Sequence, residues 1–333
     1  MYYTSNKIDT YNRLFNFVVG LRGVGKTYHF TEKVLRKGIE VKKPVFVWVR
    51  RMIKDIDAIK HSWMNDVEHL FPDWMITTQN NAVFTTHRKT KEKYCVGYFI
   101  ALSDYIRAKS RPYPYVQYVV FDEFLLEDGK YLTNEVNNFL NLVHSIIRLR
   151  ENCKVYLLGN ASSMINPYFD FFKVSGNNLI NNFVKGENFV IENCDYQEYR
   201  NAVINSKLGG VINGTNYGKY AIDNKFLLDD VTDVKPIPSG KKEMVYNLRL
   251  NGLLIAVYYI NGLLYFGKGR DETYTTYTFY PQDAKTYGCQ LLSNKSPQLK
   301  VLVKDFLNGC CLYETLRIKN EIQLIVRLVY KNW

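Results

Sequence analysis

The segment GLRGVGKT (residues 20–27) has the glycine, lysine and threonine spacing of a phosphate-binding loop. It follows the apolar run LFNFVVG (14–20), which we predict to be a strand, and it opens a predicted helix over 26–40. In such a loop the backbone N–H groups face the phosphates, the lysine reaches the β- and γ-phosphates, and the threonine hydroxyl binds Mg²⁺. A glycine-rich turn without a ligand fits these flanks poorly. The predicted nucleotide-binding residues are Gly20, Leu21, Arg22, Gly23, Val24, Gly25, Lys26 and Thr27.

Two adjacent carboxylates, Asp122 and Glu123, end the predicted buried strand YVVFDEF (118–124). Carboxylates at this position are costly unless a metal ion or a water molecule uses them. Asp122 would hold Mg²⁺ together with Thr27, and Glu123 would polarise an attacking water. A solvated strand end is the alternative. A glutamate placed for water chemistry predicts hydrolysis rather than transfer to a metabolite.

Four further polar residues have two readings each. Asn160 ends the predicted strand 154–160, where it could sense the γ-phosphate or simply cap the next helix. Arg148 and Arg150 close the preceding helix, where they could stabilise its dipole or one could act on a neighbouring subunit's nucleotide. Arg22 could contact phosphates or face solvent.

The first half alternates short apolar strands with helical segments, a pattern typical of an α/β fold with a parallel sheet. Between the second and third of these strands, residues 81–100 read as two strands joined by a basic turn. From about residue 196, Asn, Gly and Asp become frequent, which indicates a joint. We predict an ATPase-type domain over 1–195, a linker over 196–230 and a smaller α+β domain over 231–333.

The second half contains a β-rich stretch over 244–268 with two Asn-Gly hairpin turns and no Asp or Glu. A two-metal nuclease requires carboxylates that converge from its strands, so catalysis in this half is disfavoured. All five histidines lie at or before His144, which excludes a mixed Cys/His zinc site in this half. The six cysteines form no C-x-x-C pair and favour a reduced, cytoplasmic protein.

The formal net charge is +12, and it is divided evenly along the chain. Residues 1–195 carry 26 Lys and Arg against 20 Asp and Glu, and residues 196–333 carry 18 against 12. A basic balance in both halves favours a polyanionic partner such as nucleic acid. No apolar run is long enough to span a bilayer, so no membrane partner is predicted.

In combination, these motifs resemble the DNA-packaging ATPases of small tailed phages of the phi29 type. The resemblance covers most of the chain. It rests on five segments: RLFNFVVGLRGVGKTY, YPYVQYVVFDEF, NEVNNFLNLVHSIIRLRE followed by LLGN, NPYFDFF, and GTNYGKYAIDNKF.

The resemblance implies a homomeric ring, pentameric in expectation, at the portal vertex of a procapsid, where ATP hydrolysis drives double-stranded DNA inward. It implies an additional-strand, catalytic-glutamate ATPase fold followed by an RNase H-like nuclease fold without its carboxylates. It also implies that Arg148 and a second basic residue, Lys109, act on the neighbouring subunit's nucleotide. A structural packaging RNA tethers the ring in the best-known members. Such a protein would act in the host cytoplasm, dock transiently at the portal and be absent from the mature virion.

The sequence therefore predicts an ATP-driven DNA translocase. Candidate DNA-contacting loops are the turn from Arg88 to Lys93 and the Lys54 region, although a solvated hairpin explains either one. Two alternatives remain: a different ring motor such as a helicase or conjugative pump, and a non-motor kinase or switch.

Overall fold

The chain forms two compact units, residues 1–228 and 229–333, and each is described separately. The computed structural model describes residues 2–126, 131–163, 166–174, 183–224, 233–293 and 295–330. The division falls inside the predicted linker 196–230. Three short helices occupy the described part of that linker, and they belong to the first unit.

The described part of the first unit contains a nine-stranded sheet. Its strands in chain order are β1 (Phe15–Gly20), β2 (Phe46–Arg50), β3 (Trp74–Gln79), β4 (Ala82–His87), β5 (Lys93–Ala101), β6 (Tyr118–Asp122), β7 (Lys154–Asn160), β8 (Phe183–Lys185) and β9 (Phe189–Cys194). Their order across the sheet is β3-β4-β5-β2-β6-β7-β1-β9-β8. The basic insert accordingly forms the β4–β5 hairpin at one side of the sheet, as predicted.

Strand β7 lies between β1 and β6, and it pairs in parallel with both. The phosphate-loop strand and the acidic strand are thus separated by one additional strand, as the fold prediction requires. Strands β2, β5 and β9 run in the same direction as these three. Their carboxyl ends therefore meet at one edge of the sheet, where ligands of open parallel sheets bind.

Helices cover both faces of this sheet. They are α1 (Asn6–Asp9), α2 (Lys26–Val41), α3 (Ile53–Ile59), α4 (Tyr105–Ala108), α5 (Glu135–Ile147), α6 (Pro167–Phe171), α7 (Gln197–Ile204), α8 (Lys207–Ile212) and α9 (Asn216–Ala221). One core joins alternate residues of β1 to α5 and α6, and the other joins Val18 to α2. Burial on both faces explains why β1 is apolar along nearly its whole length.

The second unit has a mixed sheet and three helices in its described part. Its strands are β10 (Lys242–Leu250), β11 (Leu253–Ile260), β12 (Leu263–Lys268), β13 (Thr276–Thr278), β14 (Gln290–Leu291) and β15 (Cys311–Tyr313), and its helices are α10 (Pro281–Tyr287), α11 (Pro297–Leu307) and α12 (Leu316–Tyr330). The strand order is β14-β13-β10-β11-β12-β15. An antiparallel meander extended by parallel strands agrees with the RNase H-like fold that the resemblance implies.

Both Asn-Gly pairs form the predicted hairpin turns of this meander. Asn251 and Asn261 have φ angles of 48° and 53°, and the following glycines both have φ of 79°. Strand β10 begins before Met244 and includes the exposed Glu243. Across the described residues of the chain, no three His, Cys, Asp or Glu side chains form a metal-binding group. Among the described helices, none is long and apolar enough to cross a membrane.

Candidate nucleotide site

The phosphate loop connects β1 directly to α2 at the carboxyl edge of the sheet. Gly20, Gly23 and Gly25 have φ angles of 137°, 82° and 90°, which L-residues with side chains rarely adopt. At two of these positions, close neighbours also leave little room for a side chain. A Cβ at Gly20 would lie 2.4 Å from the Cys194 carbonyl oxygen, and one at Gly23 would lie 2.3 Å from the Tyr199 hydroxyl. The glycine spacing therefore follows from both conformation and close packing.

Lys26 is held inside the loop by three acceptors. Its Nζ donates to the carbonyl oxygens of Gly20 and Leu21 at 3.2 and 2.6 Å, and to Asn160 Oδ1 at 3.3 Å. Burial lowers the pKa of Lys26 to about 8, and the Asp122 carboxylate partly opposes that shift. The end of β7 thus contacts the phosphate loop through Asn160, which favours its predicted place at the site over a purely local cap.

Asp122 lies between the phosphate loop and an arginine that the sequence analysis did not select. Its Oδ1 accepts from the Thr27 hydroxyl at 3.2 Å, and its Oδ2 lies 3.3 Å from Arg50 Nη1. The same Arg50 nitrogen is 2.9 Å from Glu123 Oε2. Burial raises the pKa of Asp122, and the positive charge of Arg50 opposes the shift. Arg50 therefore links both carboxylates of the acidic strand.

Glu123 follows β6 with a φ of 59°, an uncommon conformation for a residue with a side chain. Its side chain is 66% exposed, whereas that of Asp122 is 9% exposed. Arg51 fixes the backbone here, because it donates to the carbonyl oxygens of Glu123 and Phe124 at 3.1 and 2.9 Å. The turn consequently presents the Glu123 carboxylate to solvent beside the loop.

The Arg51 guanidinium is itself held by a buried ion pair. It contacts Glu135 at the start of α5 at 2.8 and 2.9 Å, and Tyr168 also donates to that carboxylate at 2.9 Å. A fully hydrogen-bonded buried pair of this kind fixes geometry more than it adds stability. It connects the end of β2, the turn after β6 and the first turn of α5.

An open pocket of about 810 Å³ extends from the phosphate loop towards the amino-terminal segment. Tyr2, Tyr3 and Thr4 line it together with Glu32 and Asp66. The Tyr3 backbone N–H donates to the Val24 carbonyl at 2.9 Å, so the segment runs along the loop. No sequence motif indicated this lining.

The two predicted Mg²⁺ ligands, Thr27 and Asp122, have suitable chemistry for this ion. Thr27 and Asp122 supply a hydroxyl and a carboxylate oxygen that are already 3.2 Å apart. Protein Mg²⁺ sites at nucleotides commonly use one or two such oxygens and take the rest from phosphates and water. Both residues therefore fit the ion.

Arg148 and Arg150 have different surroundings. Arg150 donates to the carbonyl oxygens of Ile147, Pro114 and Val116, the last at 2.6 Å. Val116 precedes β6, so the end of α5 lies at the amino edge of the sheet, opposite the chain's own phosphate loop. Arg148 is exposed and follows α5 with φ 53° and ψ −117°. Within the described residues, its guanidinium has no hydrogen-bond or ion-pair partner.

The remaining predicted residues take no part in the contacts described above. Lys109 is exposed after α4, and its amino group is 5.8 Å from the Tyr105 ring centroid. Arg22 is exposed at the tip of the loop. The basic turn between β4 and β5 lies at the amino edge of the sheet, whereas Lys54 follows β2 at the carboxyl edge. These two candidate DNA loops are thus on opposite edges.

We expect the Gly20→Ala variant to be severely destabilised, since its methyl group would clash with the backbone of β9 and its φ is unfavourable. The expected loss is about 3 kcal/mol or more of unfolding free energy, measured by urea denaturation. Gly210→Ala is the matched control, because that glycine has an ordinary φ and no neighbouring atom within 4 Å of the added Cβ. Equal stabilities of the two variants would contradict the packing argument.

We expect the pH dependence of stability to report on Glu192, which lies on β9 and accepts from the Tyr3 hydroxyl at 3.0 Å. Burial raises the pKa of Glu192 to about 7, with Tyr3 and Lys7 lowering it and Asp9 raising it. A raised carboxyl pKa means that stability is full below about pH 4.5 and is lost as pH rises through 7. Relative to Glu192→Gln, the native chain should lose about 3 kcal/mol over that window. Parallel pH profiles for the two proteins would contradict this assignment.

The additional strand between β1 and β6, the phosphate loop and the adjacent acidic pair together define the class: a phosphate-loop nucleotide-binding protein of the additional-strand type. The model of the family "Podovirus DNA encapsidation protein (Gp16)" matches residues 1–329. The chain belongs to this family.

Individual relatives agree with this assignment. The DNA packaging protein of Bacillus phage phi29 is 29% identical over 327 residues, which cover 96% of this chain and 95% of that protein. In the phi29 genome packaging motor assembly, the matching chain has a TM-score of 0.76 and 28% identity, with 98% of this chain and 99% of that chain covered. The crystal structure of the N-terminal domain of the phi29 DNA packaging ATPase matches 60% of this chain at 31% identity with a TM-score of 0.54, and 98% of that domain is covered.

Proposed function

We propose that this chain is the ATP-hydrolysing subunit of a ring motor that drives double-stranded viral DNA into a procapsid. The first unit is the ATPase domain, and the second is a nuclease-like domain without nuclease activity. The observation that carries the proposal is the exposed Glu123 carboxylate beside the Thr27–Asp122 pair, because it provides a base for water next to a site for phosphates and Mg²⁺.

Each residue of the site has a defined task in this proposal. Backbone N–H groups of the loop and the Lys26 amino group bind the β- and γ-phosphates. Thr27 and Asp122 hold Mg²⁺, which neutralises phosphate charge when it is bound. Glu123 accepts the proton of the attacking water. Asn160 senses the γ-phosphate or helps to position that water.

Arg50 controls whether Glu123 can act as that base. Its Nη1 is 2.9 Å from the Glu123 carboxylate, so the guanidinium occupies a carboxylate oxygen that would have to face the attacking water. Hydrolysis therefore requires Glu123 to leave Arg50 and turn towards the water. Asp122 can retain Arg50 meanwhile, since it contacts the same nitrogen.

A neighbouring subunit completes the site. Arg148 lies at the edge of the sheet opposite its own phosphate loop, so the loop that it serves is that of the next copy. There its guanidinium stabilises charge on the transferred phosphoryl group, and Lys109 supplies a second positive charge. The ring is a pentamer, and it docks transiently at the portal in the host cytoplasm and is absent from the mature virion.

The DNA contacts are electrostatic in this proposal. Basic residues of the Arg88–Lys93 turn and of the Lys54 region bind backbone phosphates without reading sequence, so binding weakens steeply with salt. A structural packaging RNA can connect the ring to the portal through the same chemistry.

The proposal is tested by measuring the ATPase rate per subunit against protein concentration, with and without duplex DNA. We expect the rate to rise with concentration as shared sites assemble and to rise further with DNA. A rate independent of both variables would exclude the motor and favour a kinase or switch. Duplex unwinding coupled to hydrolysis would favour a helicase, and packaging of duplex DNA into procapsids distinguishes the proposed motor from a conjugative pump.

A further inference from the structure

A second pocket, of about 380 Å³, lies in the second unit where β10, β13 and the end of α10 meet. Its lining includes two arginines, two threonines, a tyrosine and a cysteine. They are Arg249, Arg270, Thr275, Thr276, Tyr287 and Cys289. This pocket belongs to the second compact unit and contains no residue of the nucleotide site.

Arg249 is the central feature of the pocket. The centre of its guanidinium lies 3.6 Å from the Tyr287 ring centroid, so the planar group is stacked on the ring. Its Nε is buried without a hydrogen-bond partner. Among the described residues, no carboxylate pairs with it. A half-buried arginine without an anion is unfavourable, and an anionic ligand would remove that penalty.

The acidic residues beside Arg270 in the chain do not neutralise Arg249. Glu272 pairs with Arg270 at 2.5 Å. The Asp271 carboxylate accepts from the Thr273 backbone N–H and hydroxyl at 2.9 and 2.6 Å, and these bonds lower the pKa of Asp271. Within the described part of this unit, the pocket thus combines an unneutralised arginine with two threonines.

We propose that this pocket binds a phosphodiester group of a nucleic acid strand. A guanidinium stacked on an aromatic ring keeps its N–H edge fixed, and that edge matches two phosphate oxygens. Thr275 and Thr276 also line the pocket, and Tyr287, 53% exposed, offers the rest of its ring to an adjacent sugar. The strand is bound and not cut, because no carboxylate cluster accompanies the site in the described residues.

This inference rests on the proposed function only in naming DNA or RNA as the ligand. Binding at this site does not require ATP hydrolysis. The second unit would hold DNA, or a structural RNA, at a point separate from any loop of the first unit. Both polymers present the same phosphate chemistry, so the experiment compares them directly.

Cys289 allows a local test in the full-length protein without ATP. Its alkylation rate by N-ethylmaleimide is measured by peptide mass spectrometry, with the similarly half-buried Cys310 of the same unit as the internal control. With duplex DNA at about ten times its dissociation constant, we expect Cys289 to react about tenfold more slowly and Cys310 to be unaffected. Increasing salt should remove the protection.

Variants decide whether Arg249 is responsible. Arg249→Ala should abolish the protection of Cys289, whereas Lys300→Ala, which removes an exposed charge outside the pocket, should retain it. An unchanged Cys310 rate in both variants reports that the unit remains folded. Protection by duplex RNA but not by DNA assigns the site to RNA.

Three outcomes would overturn the proposal: protection by neither polymer, protection by inorganic phosphate alone, or protection that persists in Arg249→Ala. None of them depends on ATPase activity. A failure of this site is therefore distinguishable from a failure of the motor.

Discussion

Glu123→Gln is expected to eliminate ATP turnover while leaving ATP binding intact. The amide has the same size as the carboxylate and can occupy the same turn, but it cannot accept the proton of an attacking water. Removal of a general base of this kind lowers turnover by about 10²- to 10⁴-fold. Turnover is measured as phosphate release, and binding is measured by equilibrium dialysis with labelled ATP.

The matched control is Glu187→Gln, which makes the same chemical change at an exposed position before β9. It should hydrolyse ATP at the native rate. Arg50→Ala removes the ion pair with Glu123 and retains the Glu123 carboxylate. It therefore measures the effect of the ion pair on turnover separately from the loss of the base. Native turnover in Glu123→Gln would show that another group activates the water, and the assignment of the acidic pair would then be wrong.

Arg148→Ala is expected to abolish hydrolysis as completely as the glutamate variant, although the residue lies far from its own phosphate loop. An arginine that stabilises a transferred phosphoryl group contributes about 10³- to 10⁵-fold to turnover. Mixing the two inactive proteins should restore activity, because Glu123→Gln subunits still offer Arg148 to neighbours with an intact Glu123. In randomly mixed rings of equal amounts, roughly one interface in four is intact.

Lys300→Ala in place of Arg148→Ala controls for the loss of a positive charge, and it should be fully active by itself. Dilution should abolish the recovered activity, since the proposed site lies between subunits. Absence of recovery, in mixtures that sedimentation shows to be assembled, would mean that Arg148 does not serve a neighbour.

Local sequence signals predicted the elements whose chemistry is contained in a few adjacent residues. The phosphate loop has glycines at positions with positive φ, and so do the two Asn-Gly turns. Each can therefore be predicted from a segment of about ten residues. The apolar run that ends at Asp122 likewise identified both the strand and its acidic end.

Interactions between residues that are far apart in the sequence were harder to predict. Arg50 contacts carboxylates 72 and 73 positions away because β2 and β6 are neighbours in the sheet, and only that pairing brings them together. Arg50 and Arg51 stand at the end of the buried strand β2. Charged residues at such a position indicate a site, as argued for Asp122 and Glu123, so the two arginines could have been selected on the same ground. No such signal in the sequence indicated that the amino-terminal segment lines the pocket beside the phosphate loop. In the second unit, the sequence predicts one helix over 296–314, whereas α11 ends at Leu307 and the short strand β15 follows it.

The direction of α5 has a consequence for how copies of this chain add to one another. In the proposed ring, Arg148 and the phosphate loop lie at opposite edges of one sheet, so every subunit would have a donating end and an accepting end, and association would be directional. A copy that is blocked at one end acts as a chain terminator: it can join a growing arc and cannot be followed. Small amounts of such a copy should therefore leave open arcs in place of closed rings, and mass photometry would count them.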